Sequence, residues 1–225
     1  MGPVWTIVAL WVAFAATHMG LSSLTLRPKL VDILGALGFQ GLYSVVALAI
    51  FVPLVSVYFA NQHAGPHLWY LGPGGVSRWV VYALMALALA LVVGGLVQPS
   101  PASMTAGKGE TAVRGVLRIS RHPVFMGAGL FGLAHLIGAN VNTAELAFFA
   151  GFPIFAVVGC AHQDRRKLAS LGGPYRHFCD QTSLLPFARG GGVAALGEAW
   201  LAIALALLAT LALRWFHPQW FGGAA

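Results

Sequence analysis

Eight histidines stand in a chain with only six acidic residues. Four of them, His18, His122, His135 and His162, fall inside or at the ends of strongly apolar runs. An imidazole within a membrane helix costs free energy unless it is partnered, so each of the four is a functional candidate by default. His18 lies about one and a half turns before the end of the first run, with Ser22 one turn further along the same face. His122 opens the fourth run, where Pro123 suits the first helical turn because its missing N–H costs nothing there. His162 closes the fifth run, so three histidines from three helices fall at similar depth. His135 lies about 20 Å along a continuous helix from His122 and about 220° around it, too far to share one metal ion. A single iron or haem is best served by a pair such as His18 and His122, whose ligating nitrogens would stand about 4 Å apart. The plainer alternative is that His18 hydrogen-bonds a neighbouring helix and His122 only caps its own. His63, His67 and His217 read as interfacial and His177 as solvated.

The stretch "HQDRRKLASLGGPYRHFCDQTSLLPF" holds the other reactive types. At its simplest, Asp164 beside Arg165 and Arg166 is a solvated juxtamembrane cluster, or an anchor for anionic head groups. A functional reading folds Asp164, Tyr175 and Arg176 back over the mouth of the bundle, where they could bind a propionate or phosphate. Arg118 and Arg121, just before His122, are further candidates for pairing propionates. Gly127, Gly129 and Gly132 spell GxGxxG, but no strand precedes them and no acidic partner follows, which excludes a nucleotide fold. With Gly138 they form a small-residue face for close helix packing. Cys160 and Cys179 have no CxxC spacing and read as free thiols.

The elements that must position these residues are membrane helices. Only 8% of residues are charged and 58% are hydrophobic, against roughly 25% charged in a soluble domain. Apolar runs at about 4–24, 38–60, 79–97, 123–140, 145–161 and 193–215 predict an all-α, polytopic transmembrane bundle of about six helices. The first run imitates a signal peptide, but no Lys or Arg precedes it and its length suits an uncleaved helix. Eleven of the thirteen basic residues fall in alternate links: Arg27 and Lys29; Lys108, Arg114, Arg118 and Arg121; Arg165, Arg166, Lys167, Arg176 and Arg189. The positive-inside rule places those links in the cytoplasm and both termini outside, as in a bacterial inner membrane. Basic residues that punctuate apolar runs, with no basic patch interleaved with aromatics, exclude nucleic acid as a partner. Residues 1–225 form a single domain, in which 188–225 add a C-terminal transmembrane helix and tail. Chemistry must then arise from helix ends and links.

"RHPVFMG", followed by "QDRRKLASLGGPYRHFCDQTSLLPF", resembles the signature of membrane proteins of the isoprenylcysteine carboxyl methyltransferase type. In those enzymes the two halves build an S-adenosylmethionine pocket. Phe125 stands where they have Tyr, and Gln163 and Asp164 replace their paired glutamates. A closer resemblance joins "THMGLSSLTLRPKLVDILGALGFQGLYSVVALAIFVPLV" to the RHP and TSLLPF motifs, and is with the NnrU family over residues from about 12 to 187. That family includes bacterial proteins associated with denitrification and a zeta-carotene isomerase that looks like a haem b enzyme. The resemblance implies that His18 and His122 match the isomerase's proposed haem ligands and that His135 matches a further histidine.

Three functions follow as expectations. The first is a haem b membrane protein in redox-linked chemistry on a lipophilic substrate, or in nitrogen-oxide metabolism, with His18 and His122 as axial ligands. The second is an S-adenosylmethionine-dependent methyltransferase whose pocket uses Arg121, His122, Asp164, Tyr175 and Arg176. The third is a non-catalytic subunit that binds membrane partners or further copies of itself through its small-residue faces.

Overall fold

The computed structural model describes residues 2–71, 74–103, 112–138 and 140–221; Lys108 lies outside them. Among the described residues the chain forms α1 (Pro3–Leu21), α2 (Leu26–Ala60), β1 (His67–Tyr70), α3 (Gly75–Val97), a 3-10 turn (Gly115–Arg118), α4 (Pro123–Gly138), β2 (Asn140–Asn142), α5 (Thr143–Leu171), α6 (Gly173–Gln181), α7 (Gly192–Glu198) and α8 (Trp200–Phe221). The helices α1, α2, α3, α5 and α8 are long and apolar enough to cross a membrane, and α4 is a shorter apolar helix. Hydrocarbon offers the backbone no hydrogen-bond partners, so runs of this length close their own bonds as helices. The protein is an all-α integral membrane protein.

Three expected boundaries move. The second helix starts at Leu26 and reaches Ala60 in two pieces, because Gly35 adopts φ 72° and breaks the regular path. The fifth does not stop near residue 161 but runs to Leu171, carrying the polar segment Gln163 to Lys167 within the helix. The last run is interrupted at Ala199, between α7 and α8.

The chain divides into two compact units, residues 1–69 with 140–151, and residues 70–139 with 152–225. In the first, Trp11 and Phe14 of α1 pack edge-on to each other and against Phe51 of α2. The Trp11 indole donates to the Phe148 carbonyl at 3.0 Å, which gives the buried N–H its required partner. Tyr58 stacks on Phe148 at 4.0 Å, nearly parallel. Glu145, 1% exposed, accepts the backbone N–H of Asn142 at 3.1 Å and that of His63 at 2.8 Å. This closes the start of α5 as a capping box closes a helix.

In the second unit α4 is the central packing element. A Cβ on Gly127 would stand 2.6 Å from the Ala88 carbonyl oxygen of α3, and one on Gly129 would stand 3.2 Å from Ala156 of α5. The glycines are thus where neighbouring helices come closest, as the small-residue face predicted. The core around them joins Leu91, Val116, Ile119, Met126, Ala156 and Cys160. Both cysteines are free.

Candidate functional site

Asp164 is not solvated. It is 6% exposed and gathers three side chains from two segments of the second unit. The reading of a water-facing Asp164, Arg165 and Arg166 cluster fails because the extension of α5 turns Asp164 inward while Arg165 stays exposed. The Arg121 guanidinium reaches Oδ2 with Nε at 2.8 Å and Nη2 at 2.7 Å. His122 places Nε2 2.7 Å from Oδ1. Tyr175, on α6, donates its hydroxyl to the same Oδ1 at 2.6 Å. A buried carboxylate is tolerated only when paired and hydrogen-bonded, and here both oxygens are occupied.

Local sequence explains how the donors are held. Pro123 starts α4 immediately after His122, so the imidazole is anchored to a rigid helix end. The segment before it is laced to the TSLLPF segment. The Arg121 N–H donates to the Ser183 carbonyl at 2.9 Å, the Phe187 N–H to the Ile119 carbonyl at 3.0 Å, and the Ser120 hydroxyl to the Leu184 carbonyl at 2.7 Å. Ser120 Oγ also accepts the His122 N–H at 3.1 Å. The two motifs, some sixty residues apart in sequence, are one clasp in space. Tyr175 is buried with Leu117, Phe178 and Ala102 behind it.

The electrostatics follow from burial and pairing. Burial acts to lower the Arg121 pKa, but the hydrogen bond and charge of Asp164 outweigh it and raise it. Burial, together with the hydrogen bond to Asp164, pushes the Tyr175 hydroxyl up, so it remains a donor. Burial likewise pushes the Cys179 thiol up.

Beside His122 lies a cavity of about 50 Å³, lined by Gly95, Ser100, Arg121, His122, Phe125 and Gln163 among others. That admits a few waters at roughly 10–15 Å³ each. Gln163 Nε2 donates to the Ala102 carbonyl, and Lys167 Nζ donates to that of Ser103 at 3.1 Å, which pins the loop after α3 over the cavity. A Cβ at Gly95 would come within 2.8 Å of Pro123 and Val124, so α3 can lie against the RHP turn only as glycine.

The other expected site residues are placed elsewhere. His18 belongs to the first unit, half-buried between Phe14, stacked at 4.8 Å, and Tyr43 at 4.4 Å; Ser22 Oγ donates to its carbonyl at 2.7 Å. His135 turns Nδ1 to the Phe131 carbonyl at 2.9 Å and lies 6.4 Å, ring centre to ring centre, from His217. His162 lies within α5, well before its end. Arg176 is exposed next to Tyr175 and takes no part in the Asp164 cluster. Arg118 forms a two-pronged pair with Glu198, Nε to Oε2 at 2.8 Å and Nη2 to Oε1 at 3.0 Å. Sequence reasoning missed Glu198, Glu145 and Ser120. An Asn-x-x-Glu spacing at a helix start was the available signal for Glu145; the other two carry none.

The chain is similar to two curated proteins named 15-cis-zeta-carotene isomerase, chloroplastic. The protein from Zea mays is 25% identical over 81% of this chain and 49% of its own length. The protein from Arabidopsis thaliana is 26% identical over 83% of this chain and 50% of its own. The chain thus spans about half the length of the curated relatives it matches. No solved structure matches it. The family model described as NnrU protein matches residues 6–225, a stretch that includes His18 and every residue of the Asp164 clasp, and the chain belongs to the NnrU family.

Proposed function

We propose that this protein is a membrane enzyme of the carotenoid-isomerase kind, acting on a long lipophilic polyene drawn from the bilayer, with haem b as its cofactor. One observation carries the reading: the family match contains the whole Asp164 clasp, and similarity to two isomerases extends over more than four fifths of the chain. The donor chemistry fits the cofactor. Ligating imidazoles regularly give their second nitrogen to a carboxylate, and His122 meets Asp164 in that way. Within this unit His122 is the residue that would hold haem b, and Arg121 is committed to Asp164. The cavity beside His122, about 50 Å³, is smaller than a macrocycle. When bound, haem would supply a one-electron or Lewis-acid centre.

The chain's own residues do the rest. Arg121, Asp164 and Tyr175 hold the imidazole in one orientation, and the closely packed α3 and α4 keep bulk water from it. The basic links face the cytoplasm and both termini face outward, as the positive-inside rule directs. The same cofactor would equally serve nitrogen-oxide chemistry, and a substrate assay separates the two.

An absorption spectrum of the detergent-purified protein tests this reading. A Soret band that weakens in His18→Ala and in His122→Ala, with conversion of a cis-polyene by the wild type, is expected. Absence of the band after haem supplementation, or calorimetric binding of S-adenosylmethionine instead, would overturn it in favour of methyl transfer.

A further inference from the structure

We propose that Asp164 is a positioning residue that fixes His122 as its Nε2–H tautomer, so that Nδ1 is the nitrogen His122 offers to a cofactor or substrate. The geometry stands without the functional reading above; only its consequence rests on that reading.

A carboxylate accepts hydrogen bonds and donates none. Arg121 occupies Oδ2 with two nitrogens, at 2.7 and 2.8 Å. Tyr175 gives its only proton to Oδ1 at 2.6 Å. His122 Nε2, 2.7 Å from the same Oδ1, therefore carries the hydrogen. In a neutral imidazole the lone pair then sits on Nδ1. The ring is buried, and the backbone that carries it is held on both sides. The His122 side chain is 2% exposed, its N–H is tied to Ser120 Oγ, Arg121 is tied by its backbone to Ser183, and Pro123 holds the next residue in α4.

Most metal-ligating histidines can be served through either ring nitrogen, and the hydrogen bond made by the other nitrogen decides which. Here that choice is made before any ligand arrives. A group bound to His122 lies on the side of the ring nearest its own backbone, and a carboxylate behind the ring raises the basicity of the ligating nitrogen. Asp164 acts through His122 without touching the ligand.

Ring-nitrogen NMR of the full-length protein in micelles, with labelled histidine, tests the proposal. Subtracting the spectrum of His122→Gln assigns the His122 signals, and about pH 8.5 keeps an ordinary imidazole neutral. The expected result is a pyridine-like Nδ1 and a pyrrole-like Nε2 in the wild type and in Tyr175→Phe, where Asp164 keeps its carboxylate. In Asp164→Asn the pattern changes to a mixture of tautomers. A pyrrole-like Nδ1 in the wild type, two pyrrole-like nitrogens, or an unchanged pattern in Asp164→Asn overturns the proposal. The wild-type spectrum alone decides if Asp164→Asn fails to fold. Haem content read on the same samples keeps the two ideas apart: the Nε2–H tautomer without haem supports the positioning role and refutes the cofactor.

Discussion

Two buried carboxylates, one in each unit, are treated quite differently by this fold. Glu145 is 1% exposed and Asp164 is 6% exposed, so burial alone does not distinguish them. Glu145 accepts mainly backbone N–H groups, from His63 and Asn142. Among the described residues its side-chain partner is the exposed His63 ring at 3.3 Å. Asp164 accepts from Arg121, His122 and Tyr175, all side chains. Backbone donors exist at every helix start and must be satisfied wherever a helix begins, which makes Glu145 a builder of the fold. Three converging side-chain donors are a costly arrangement that no secondary structure requires, and this makes Asp164 the centre of the candidate site. In a membrane protein the donor type, more than the depth of burial, separates the two roles.

Breaking the Asp164 side of this comparison has the largest expected effect. Asp164→Ala takes their shared acceptor from Arg121, His122 and Tyr175, leaving the Arg121 guanidinium with the Thr182 carbonyl at 3.4 Å, and costs about 3–5 kcal/mol of stability, read as a lower thermal midpoint in detergent. Glu145→Gln keeps one carbonyl acceptor for the start of α5 and costs about 1 kcal/mol. Content of the proposed haem in this variant is expected to match the wild type; a loss equal to that of His122→Ala would erase the distinction between the two carboxylates.

The smallest effect belongs to Glu198, an exposed carboxylate that shares the charge but neither the burial nor the convergence. Its pKa is lowered by the hydrogen bond from Arg118 and by the N–H of Gly115. A depressed carboxylate contributes stability above its unfolded value, about 4.3, and loses it as pH falls through the folded one. Amide exchange in the Gly115–Arg118 turn therefore accelerates at acid pH, while at neutral pH Glu198→Gln changes the global midpoint little.

Much of the fold was legible in the sequence because apolar length is a local property. The six apolar runs, the glycine face of α4 and the two free cysteines follow from residue type and spacing alone. The missed boundaries have local causes too weak to read: a positive φ at Gly35 and a break at Ala199. The site was legible only in pieces. His122, Arg121, Asp164 and Tyr175 each stand out by type and spacing, but an acid followed by two arginines looks solvated when only its neighbours in sequence are visible.

Composition and periodicity determined that this chain lives in a bilayer and where its long apolar helices fall. Each of those depends on neighbours within a turn or two. Tertiary structure alone decided that the RHP segment and the TSLLPF segment close on each other, that α5 runs on far enough to carry Asp164 beneath His122, and that Arg176 stays outside. A hydrogen bond at 2.7 Å between residues 42 positions apart depends on the path of everything between them, and no local pattern encodes it.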